Sequence, residues 1–258
     1  MVRARHEGEA TMPTMTTAPT VSVYVPARLN SQRLPRKALR PFNGRPLVAT
    51  ILTTLKDAAA VTDFALNTES EEIAAVAEAM DVAVYRRAPA LAQADTTTEE
   101  ILADFAQGCR GDYVAAINPT NPLLTSATID RFFAEMIADG ADTAFSVSRY
   151  RKHVLIDGAP INYSPFGPHP RTQDVREVSM LNWAIVAWRT EMVRRMVRGR
   201  GDSIYLGRTA FLAIPGIEAT DIDDEADFQM AQALSAIARP PLSTVARPRR
   251  LRIAASAA

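Results

Sequence analysis

The sequence predicts an α/β protein with a doubly wound, mostly parallel sheet and one protruding arm, and three observations support this prediction. Short apolar runs of strand length alternate with amphipathic helical patterns along most of the chain. Repeated strand–helix–strand alternation implies right-handed crossovers, and therefore parallel strands. The 258 residues are 47% hydrophobic, which is enough to bury one large core.

The elements follow in order from local patterns. The apolar run at residues 21–25 predicts a buried strand, and apolar residues at helical spacing predict a helix at 46–58. Ser70, followed by acids, is typical of a helix N-cap. The remaining predicted elements are strand 62–68, helix 70–80, strand 82–85, helix 98–108, strand 113–117, helix 126–140, strand 143–148, strand 182–188, helix 191–197, strand 217–223 and helix 224–238.

The alternation stops after Arg149, where turns, prolines and short strands follow. Residues 150–182 are therefore predicted to form an arm that leaves the main sheet. Exposed aromatic residues beside arginines have the composition of an interface, so the arm predicts a symmetric homodimer. The alternative is an arm that folds back on its own domain as a lid. Residues 1–19 and 239–258 are predicted to be a disordered tail and a flexible C-terminal tail, which leaves 20–238 as the folded domain.

Charge and cysteine content exclude several classes of function. The 29 cations balance 29 anions, so a general nucleic-acid or membrane-surface binder is not expected. No apolar run approaches the roughly 18 residues that a bilayer span requires. The single Cys109 rules out an internal disulfide framework and favours a cytoplasmic protein.

The loop after the first strand is unusually basic. Ligands of parallel sheets bind at the carboxyl ends of the strands, which is where this loop lies. It contains neither a dinucleotide-binding glycine motif nor a P-loop, so any phosphate must be held by side-chain charge. The alternative is a solvated basic loop. Its cations are Arg28, Arg33, Arg36, Lys37 and Arg40.

Asp221 and Asp223 predict a metal site. If residues 217–223 form a strand, both carboxylates project to the same face while Ile222 enters the core. Two carboxylates plus phosphate oxygens suit Mg²⁺ or Mn²⁺ in nucleotidyl transfer. Asp224 has a competing interpretation as the N-cap of the last helix.

The basic loop, V-P-A-R-x-x-S-x-R-L-P-x-K at residues 25–37, resembles the N-terminal signature of the CMP-sugar synthetases. These cytidylyltransferases activate acylneuraminates and 3-deoxy-octulosonate on a Rossmann-like nucleotidyltransferase fold, and they pair through an arm. The resemblance extends over most of residues 20–238. The other similar segments are Arg87 with Leu91-Ala92, INPTNPLLTSATID at 117–130, RTQD at 171–174, NWAI at 182–185 and DIDDEADF at 221–228.

The resemblance implies roles for individual residues. The residues implied in catalysis are Arg28, Lys37 and Asp223. Those implied in binding CTP are Ala27, Arg28, Ser31, Arg33, Lys37, Arg87, Thr97 and Thr98. Those implied in binding the acceptor are Asn118, Thr120, Asn121, Arg171, Gln173 and Asn182. Asp221 joins Asp223 as a ligand of the metal.

The sequence departs from the family pattern at three positions. Gln32 and Ala38 replace a Lys and an Asn of the acylneuraminate loop, and Trp183 replaces a Gly near the acceptor. The expected function is transfer of CMP from CTP to a small acidic acceptor, either acylneuraminate-like or a related 2-keto-3-deoxy sugar acid. The alternatives are a phosphonate acceptor, a nucleotide-sugar glycosyltransferase with a D-x-D metal pair, and a non-catalytic CTP-binding scaffold.

Overall fold

A computed structural model describes residues 18–199 and 203–238 of the chain. Apart from residues 18 and 19, the two predicted tails lie outside these residues. Within the described part, seven strands form the main sheet. They are β1 (Val21–Pro26), β2 (Asp63–Thr68), β3 (Ala83–Arg86), β4 (Tyr113–Ile117), β5 (Thr143–Tyr150), β6 (Val178–Arg189) and β7 (Thr209–Ala213).

The strand order across the sheet is β3-β2-β1-β4-β6-β5-β7. Every neighbouring pair is parallel except the two pairs that β6 makes with β4 and β5. The prediction of a doubly wound, mostly parallel sheet is therefore confirmed. Because β1 lies in the middle, the basic loop that follows it opens at the centre of the carboxyl edge.

Helices cover both faces of the sheet. Successive residues of β1 point to opposite sides, so Val23 packs in the core beneath α1 and α4, while Tyr24 packs with α3 and α5. In the described residues, the bounds of each helix differ from the predicted ones by at most two residues. The helices are α1 (Leu47–Asp57), α2 (Glu71–Glu78), α3 (Thr98–Gly108), α4 (Ser126–Ala138), α5 (Thr190–Gly199) and α6 (Glu225–Ala238).

The prediction of a strand at residues 217–223 is wrong. The last strand of the sheet is β7, and residues 214–224 form an irregular loop between β7 and α6. Ile214 N still donates to the Val147 carbonyl of β5 at 3.1 Å, but the later residues of this segment bond to the residues after β4 and to the start of α4. Ile222 N donates to the Thr120 carbonyl at 2.9 Å, and the Glu218 carboxylate accepts from Thr125 N at 2.9 Å.

The arm is a compact excursion between β5 and β6. A two-residue hairpin (Leu155–Ile156 with Ala159–Pro160) and a short 3₁₀ turn (Thr172–Asp174) belong to it. The buried Asn162 side chain donates to the carbonyls of Lys152 and Arg176, which ties the two ends of the arm together. Residues 178–182, predicted to be part of the arm, instead begin β6. The homodimer remains a prediction.

No helix within residues 18–199 and 203–238 has the length and apolar character needed to cross a bilayer.

Candidate active site

A cleft of about 270 Å³ opens where β1 and β4 end. The basic loop forms one side of this cleft, and the residues after β4 form the other. It is lined by Pro26, Ala27, Arg28, Ser31, Gln32, Arg33, Lys37, Ala38, Leu47, Pro119 and Thr120. Five of the predicted nucleotide-binding residues therefore share one cavity: Ala27, Arg28, Ser31, Arg33 and Lys37.

The backbone of the first part of the basic loop is fixed by hydrogen bonds to residues at the end of β2. Ala27 N donates to the Asn67 carbonyl at 2.9 Å, which extends the β1–β2 ladder. Leu29 N donates to the Glu69 carboxylate at 2.9 Å. These bonds fix the backbone on either side of Arg28, whose guanidinium donates to the Gln93 carbonyl at 2.9 Å. The loop is thus shaped before any ligand enters.

Lys37 reaches across the cleft to the loop of acids. Its ammonium donates to the Ile222 carbonyl and lies 3.5 Å from a carboxylate oxygen of Asp223. Arg33 lies 2.6 Å from the same Asp223 oxygen. The structure therefore joins the basic loop to Asp223, one of the two predicted metal ligands.

Asp221 has a carboxylate oxygen, Oδ1, that is buried and has no hydrogen-bond partner among the described residues. Burial raises the pKa of Asp221 above its ordinary value, the Thr120 side chain opposes this increase, and the negative charge of Asp223 adds to it. A buried carboxylate oxygen without a donor is unfavourable unless a cation or a proton satisfies it. The position therefore suits a cation.

Asp221 and Asp223 could hold Mg²⁺ or Mn²⁺ if phosphate oxygens of a substrate supplied further ligands. No group of three or more His, Cys, Asp or Glu side chains within the described residues could hold a metal ion. Mg²⁺ commonly binds one or two protein carboxylates and completes its coordination with phosphate oxygens and water. Asp221 and Asp223 fit that pattern, although they lie in a loop and not on one face of a strand.

Asp224 directly precedes helix α6. Its carboxylate accepts from Asp227 N at 3.0 Å, while the Asp227 carboxylate accepts from Asp223 N at 3.0 Å and from Asp224 N at 3.2 Å. These reciprocal bonds match the N-cap interpretation of Asp224. They also fix the backbone of Asp223 against the start of the helix.

The residues after β4 form a rigid wall. Asn118 donates from its side chain to the Trp183 carbonyl at 2.6 Å, and Asn121 donates to the Thr220 carbonyl at 3.2 Å. Thr120 lines the cleft and accepts from Ile222 N. Of the three predicted acceptor residues in this segment, Thr120 alone lines the described cleft.

Arg87 does not line the cleft and lies beneath the basic loop. It is buried and donates to the Glu69 carboxylate at 3.0 Å and to the Ala27 carbonyl at 3.2 Å. A buried ion pair with this geometry supports the backbone at Ala27. Direct contact between Arg87 and the cytosine or ribose remains a prediction.

Thr97 and Thr98 begin helix α3. The Thr97 hydroxyl accepts from Glu100 N at 3.2 Å, and Thr97 N donates to the Glu100 carboxylate at 2.7 Å, which forms a capping box. The observed role of Thr97 is therefore to cap a helix. Its contact with a nucleotide remains a prediction.

The remaining predicted acceptor residues lie away from the described cleft. Arg171 pairs with Asp174 at 2.8 Å on the surface of the arm, and the Gln173 carbonyl accepts from Arg151 at 3.4 Å. The buried Asn182 side chain accepts from Ser146 at 2.6 Å and bonds to Ser148 at 3.1 Å, which joins β6 to β5. Within one chain, none of the three lines the cleft.

Two residues that support the site were missed by sequence reasoning. Glu69 follows β2 and holds both Leu29 and Arg87. Glu218 is buried at the start of α4 and holds the loop that carries Asp221. The only available signal was their position, Glu69 directly after a strand and Glu218 shortly before the pair of acids.

A known protein family matches a large part of the chain. A sequence model described as Cytidylyltransferase matches residues 23–160, more than half of the 258 residues. The matched range includes the basic loop and the wall after β4. It does not include the loop that carries the acids.

Two curated relatives are similar to the chain. N-acylneuraminate cytidylyltransferase A of Danio rerio is 24% identical over 235 residues, which cover 87% of this chain and 53% of that protein. The 3-deoxy-manno-octulosonate cytidylyltransferase of Pelodictyon phaeoclathratiforme is 32% identical over 139 residues, 52% of this chain and 54% of that protein. The chain thus spans about half the length of these relatives.

Two solved structures share the fold. CMP:2-keto-3-deoxy-manno-octonic acid synthetase complexed with CTP aligns with a TM-score of 0.63 and 16% identity, and the match covers 84% of this chain and 99% of that one. The 4-diphosphocytidyl-2C-methyl-D-erythritol synthase of Anaerococcus prevotii aligns with a TM-score of 0.61 and 13% identity, over 83% and 95% of the two chains. At these identities the likeness concerns the fold alone.

Proposed function

Because the chain belongs to the cytidylyltransferase family, we propose that it transfers CMP from CTP to a small acidic acceptor and releases pyrophosphate. The observation that carries this proposal is that cations lining the cleft contact the loop of acids beside it. Arg28, Arg33 and Lys37 lie on the loop after β1, and Asp221 and Asp223 lie on the loop before α6. A metal–triphosphate complex needs both signs of charge at this spacing.

The chemistry is an in-line substitution at the α-phosphorus. An acceptor oxygen forms a bond to that phosphorus, and the bond to the oxygen bridging the α- and β-phosphates breaks. Pyrophosphate leaves with the bonding electrons, and the proton of an acceptor hydroxyl passes to solvent. Such a reaction depends mainly on positioning and on neutralising charge.

The two charged loops have separate tasks. Arg28, Arg33 and Lys37 hold the triphosphate and stabilise the charge that develops on pyrophosphate. Asp221 and Asp223 would hold Mg²⁺ or Mn²⁺, which when bound neutralises phosphate charge and lowers the pKa of a coordinated hydroxyl. Glu69 and Glu218 keep the two loops in place through their hydrogen bonds, and Arg87 supports Ala27 from beneath the basic loop, where it would also bind the nucleotide.

The acceptor is proposed from the names of the relatives. Both are named for acidic sugars, an acylneuraminate and 3-deoxy-manno-octulosonate. We therefore propose an acylneuraminate-like acceptor or a related 2-keto-3-deoxy sugar acid, with Thr120 on its side of the cleft and Asn118 next to it in the chain. Arg171 and Gln173 would reach it from the arm of a second copy, in a cytoplasmic homodimer.

Pyrophosphate release tests the proposal. The full chain is assayed with CTP, Mg²⁺ and a panel of acidic sugars and phosphonates, and the CMP product is identified by mass. Lys37→Met removes the charge but keeps most of the side chain, so we expect a higher KM for CTP together with a lower kcat. Asp223→Asn should lower kcat by about 10²-fold, because a metal ligand beside the phosphates is lost.

Arg36→Gln is the matched control for the basic loop. Arg36 is adjacent to Lys37 but pairs with Glu72 on the surface and does not line the cleft. Its loss should leave both kinetic constants unchanged. Tight CTP binding without release of pyrophosphate in the presence of any of these acids would instead indicate a non-catalytic CTP-binding scaffold and overturn the proposal.

A further inference from the structure

Trp183 occupies an unusual position in strand β6. The pairing of β6 with β5 shifts between Leu181 and Val186, so the strand is irregular around this residue. The backbone of Trp183 has a φ of +57°, in the left-handed region that glycine adopts without strain. A bulky residue in that conformation is rare and often marks a functional site.

The position of Trp183 relative to the cleft follows from the sheet order. Strand β4 lies between β1 and β6, and Asn118, just after β4, donates to the Trp183 carbonyl at 2.6 Å. The next two residues, Pro119 and Thr120, line the cleft. Trp183 is thus separated from the basic loop by two strand spacings, roughly 10 Å. Trp183 does not itself line the described cleft, but an acceptor that extends from the cleft past Thr120 would meet the exposed side of its ring.

The indole is both anchored and accessible. It packs edge-to-face on the buried Phe145, with ring centroids 5.8 Å apart. The residue is nevertheless 38% exposed. Because Phe145 and the shifted backbone fix one side of the ring, the exposed side cannot easily move away from an incoming molecule.

We propose that Trp183 forms one wall of the acceptor site and restricts it to acidic acceptors more compact than an acylneuraminate. This inference rests on the proposed function and narrows its acceptor. A rigid indole excludes a branched polar side chain and an N-acyl group, whereas a short or flat acid can pack against its apolar face. Trp183 is therefore a specificity-determining residue.

The test compares three acceptors with the full-length protein at saturating CTP and Mg²⁺. The compact acceptor is 2-hydroxyethylphosphonate, 3-deoxy-manno-octulosonate is intermediate, and N-acetylneuraminate is the bulky one. We expect the wild-type kcat/KM for the best of the two smaller acids to exceed that for N-acetylneuraminate by about tenfold or more. Trp183→Gly, which fits the positive φ, should reduce that ratio by about tenfold without changing the KM for CTP.

Phe211→Leu is the matched control. Phe211 also packs on Phe145, with ring centroids 6.0 Å apart, but lies on edge strand β7, away from β4. This variant should keep the wild-type ratio. If Trp183→Gly also keeps it, or if the wild type already prefers N-acetylneuraminate, the inference is wrong while the proposed function stands.

Tryptophan fluorescence provides a readout that does not require turnover. The chain has two tryptophans, and Trp188 is fully buried, so an acid binding beside Trp183 should change the emission of that residue alone. We expect 2-hydroxyethylphosphonate or the octulosonate to change the emission of the CTP-bound wild type but not of Trp183→Phe. If none of the three acids changes it, the inference is overturned. Absence of CTP binding would count separately against the proposed function.

Discussion

At the scale of single residues, Asp221 is a candidate site residue that lowers the stability of the folded chain when no ligand is bound. Its buried Oδ1 has no partner among the described residues, and burial raises its pKa. An ionised carboxylate in that position is unfavourable until a cation arrives. A position that is costly without a ligand and satisfied with one is typical of a functional residue.

The pH dependence of stability tests this interpretation of Asp221. Well below the ordinary aspartate pKa, the carboxyl is protonated in the folded and unfolded chains and has no effect. As pH rises, the unfolded chain ionises first, so the free energy of unfolding falls until the raised folded-state pKa is passed. Asp221→Asn cannot ionise and should therefore be more stable than the wild type at pH 7 in EDTA, but not at pH 3.

Thermal unfolding across that pH range provides the measurement. Asp224→Asn is the control, because the residue is exposed and asparagine also caps helices, so its stability should follow the wild type. Added Mg²⁺ and CTP should raise the melting temperature of the wild type more than that of Asp221→Asn. A lower melting temperature for Asp221→Asn at pH 7 without metal would contradict the prediction.

At the scale of elements, the site depends on helix starts that anchor loops. Glu218 accepts from Thr125 N at 2.9 Å and from the Thr128 hydroxyl at 3.0 Å, so the start of α4 holds the loop that carries the acids. Asp224 and Asp227 hold the other end of the loop at the start of α6. Irregular backbone is thereby fixed without a strand partner, because each end bonds to a rigid element.

At the start of α3, substitutions of Thr97 can distinguish a role in capping the helix from a role in binding CTP. Thr97→Ala removes the capping box with Glu100 and should lower the free energy of unfolding by about 1 kcal/mol. Thr97→Ser keeps the hydroxyl and should be close to neutral. Chemical denaturation measures both variants, and calorimetric titration with CTP follows in the same samples.

The CTP titration decides the role of Thr97. If the hydroxyl contacts the nucleotide, Thr97→Ala weakens CTP binding and Thr97→Ser restores it. If Thr97 serves only as a cap, both variants bind CTP as the wild type does while their stabilities differ. Equal stability of all three proteins would show that the capping box contributes nothing.

At the scale of the whole molecule, the arm exposes large apolar side chains that nothing in a single chain covers among the described residues. Ile156 is 57% exposed and Phe166 is 86% exposed, both on the arm. Large apolar side chains grouped on one excursion are typical of an interface.

We therefore predict that the full chain is a homodimer. Light scattering at micromolar concentration should give about twice the chain mass of 28.1 kDa. Replacing Ile156 and Phe166 together by serine should shift the protein towards the monomer, because both lose apolar contact area. Activity should fall with the dimer if the arm of the partner completes the acceptor site.

Ile237→Ser controls for the loss of exposed apolar surface in general. Ile237 is 82% exposed but lies near the end of α6, outside the arm. This variant should remain dimeric. A wild-type protein that is monomeric and fully active at nanomolar concentration would contradict the prediction of a homodimer.

The fold class and the basic half of the candidate site could be predicted from local patterns in the sequence. Strand and helix periodicity are local, so the alternation of elements and the bounds of α1 and α3 could be predicted without knowing any tertiary contact. The basic loop was equally visible, because its cations are close together in the chain and follow an apolar strand. Its position at the centre of the sheet edge then follows from the rule for parallel sheets.

Contacts between residues that are far apart in the chain could be identified from the folded structure alone. Lys37 and Asp223 are 186 positions apart, and no local pattern indicates that they lie 3.5 Å from each other. The strand predicted at residues 217–223 failed for the same reason, since bonds to Thr120 and Thr125 override its alternating pattern. The burial of Arg87 and of Asp221 depends on which elements cover them, and that is a property of packing between elements that are remote in sequence.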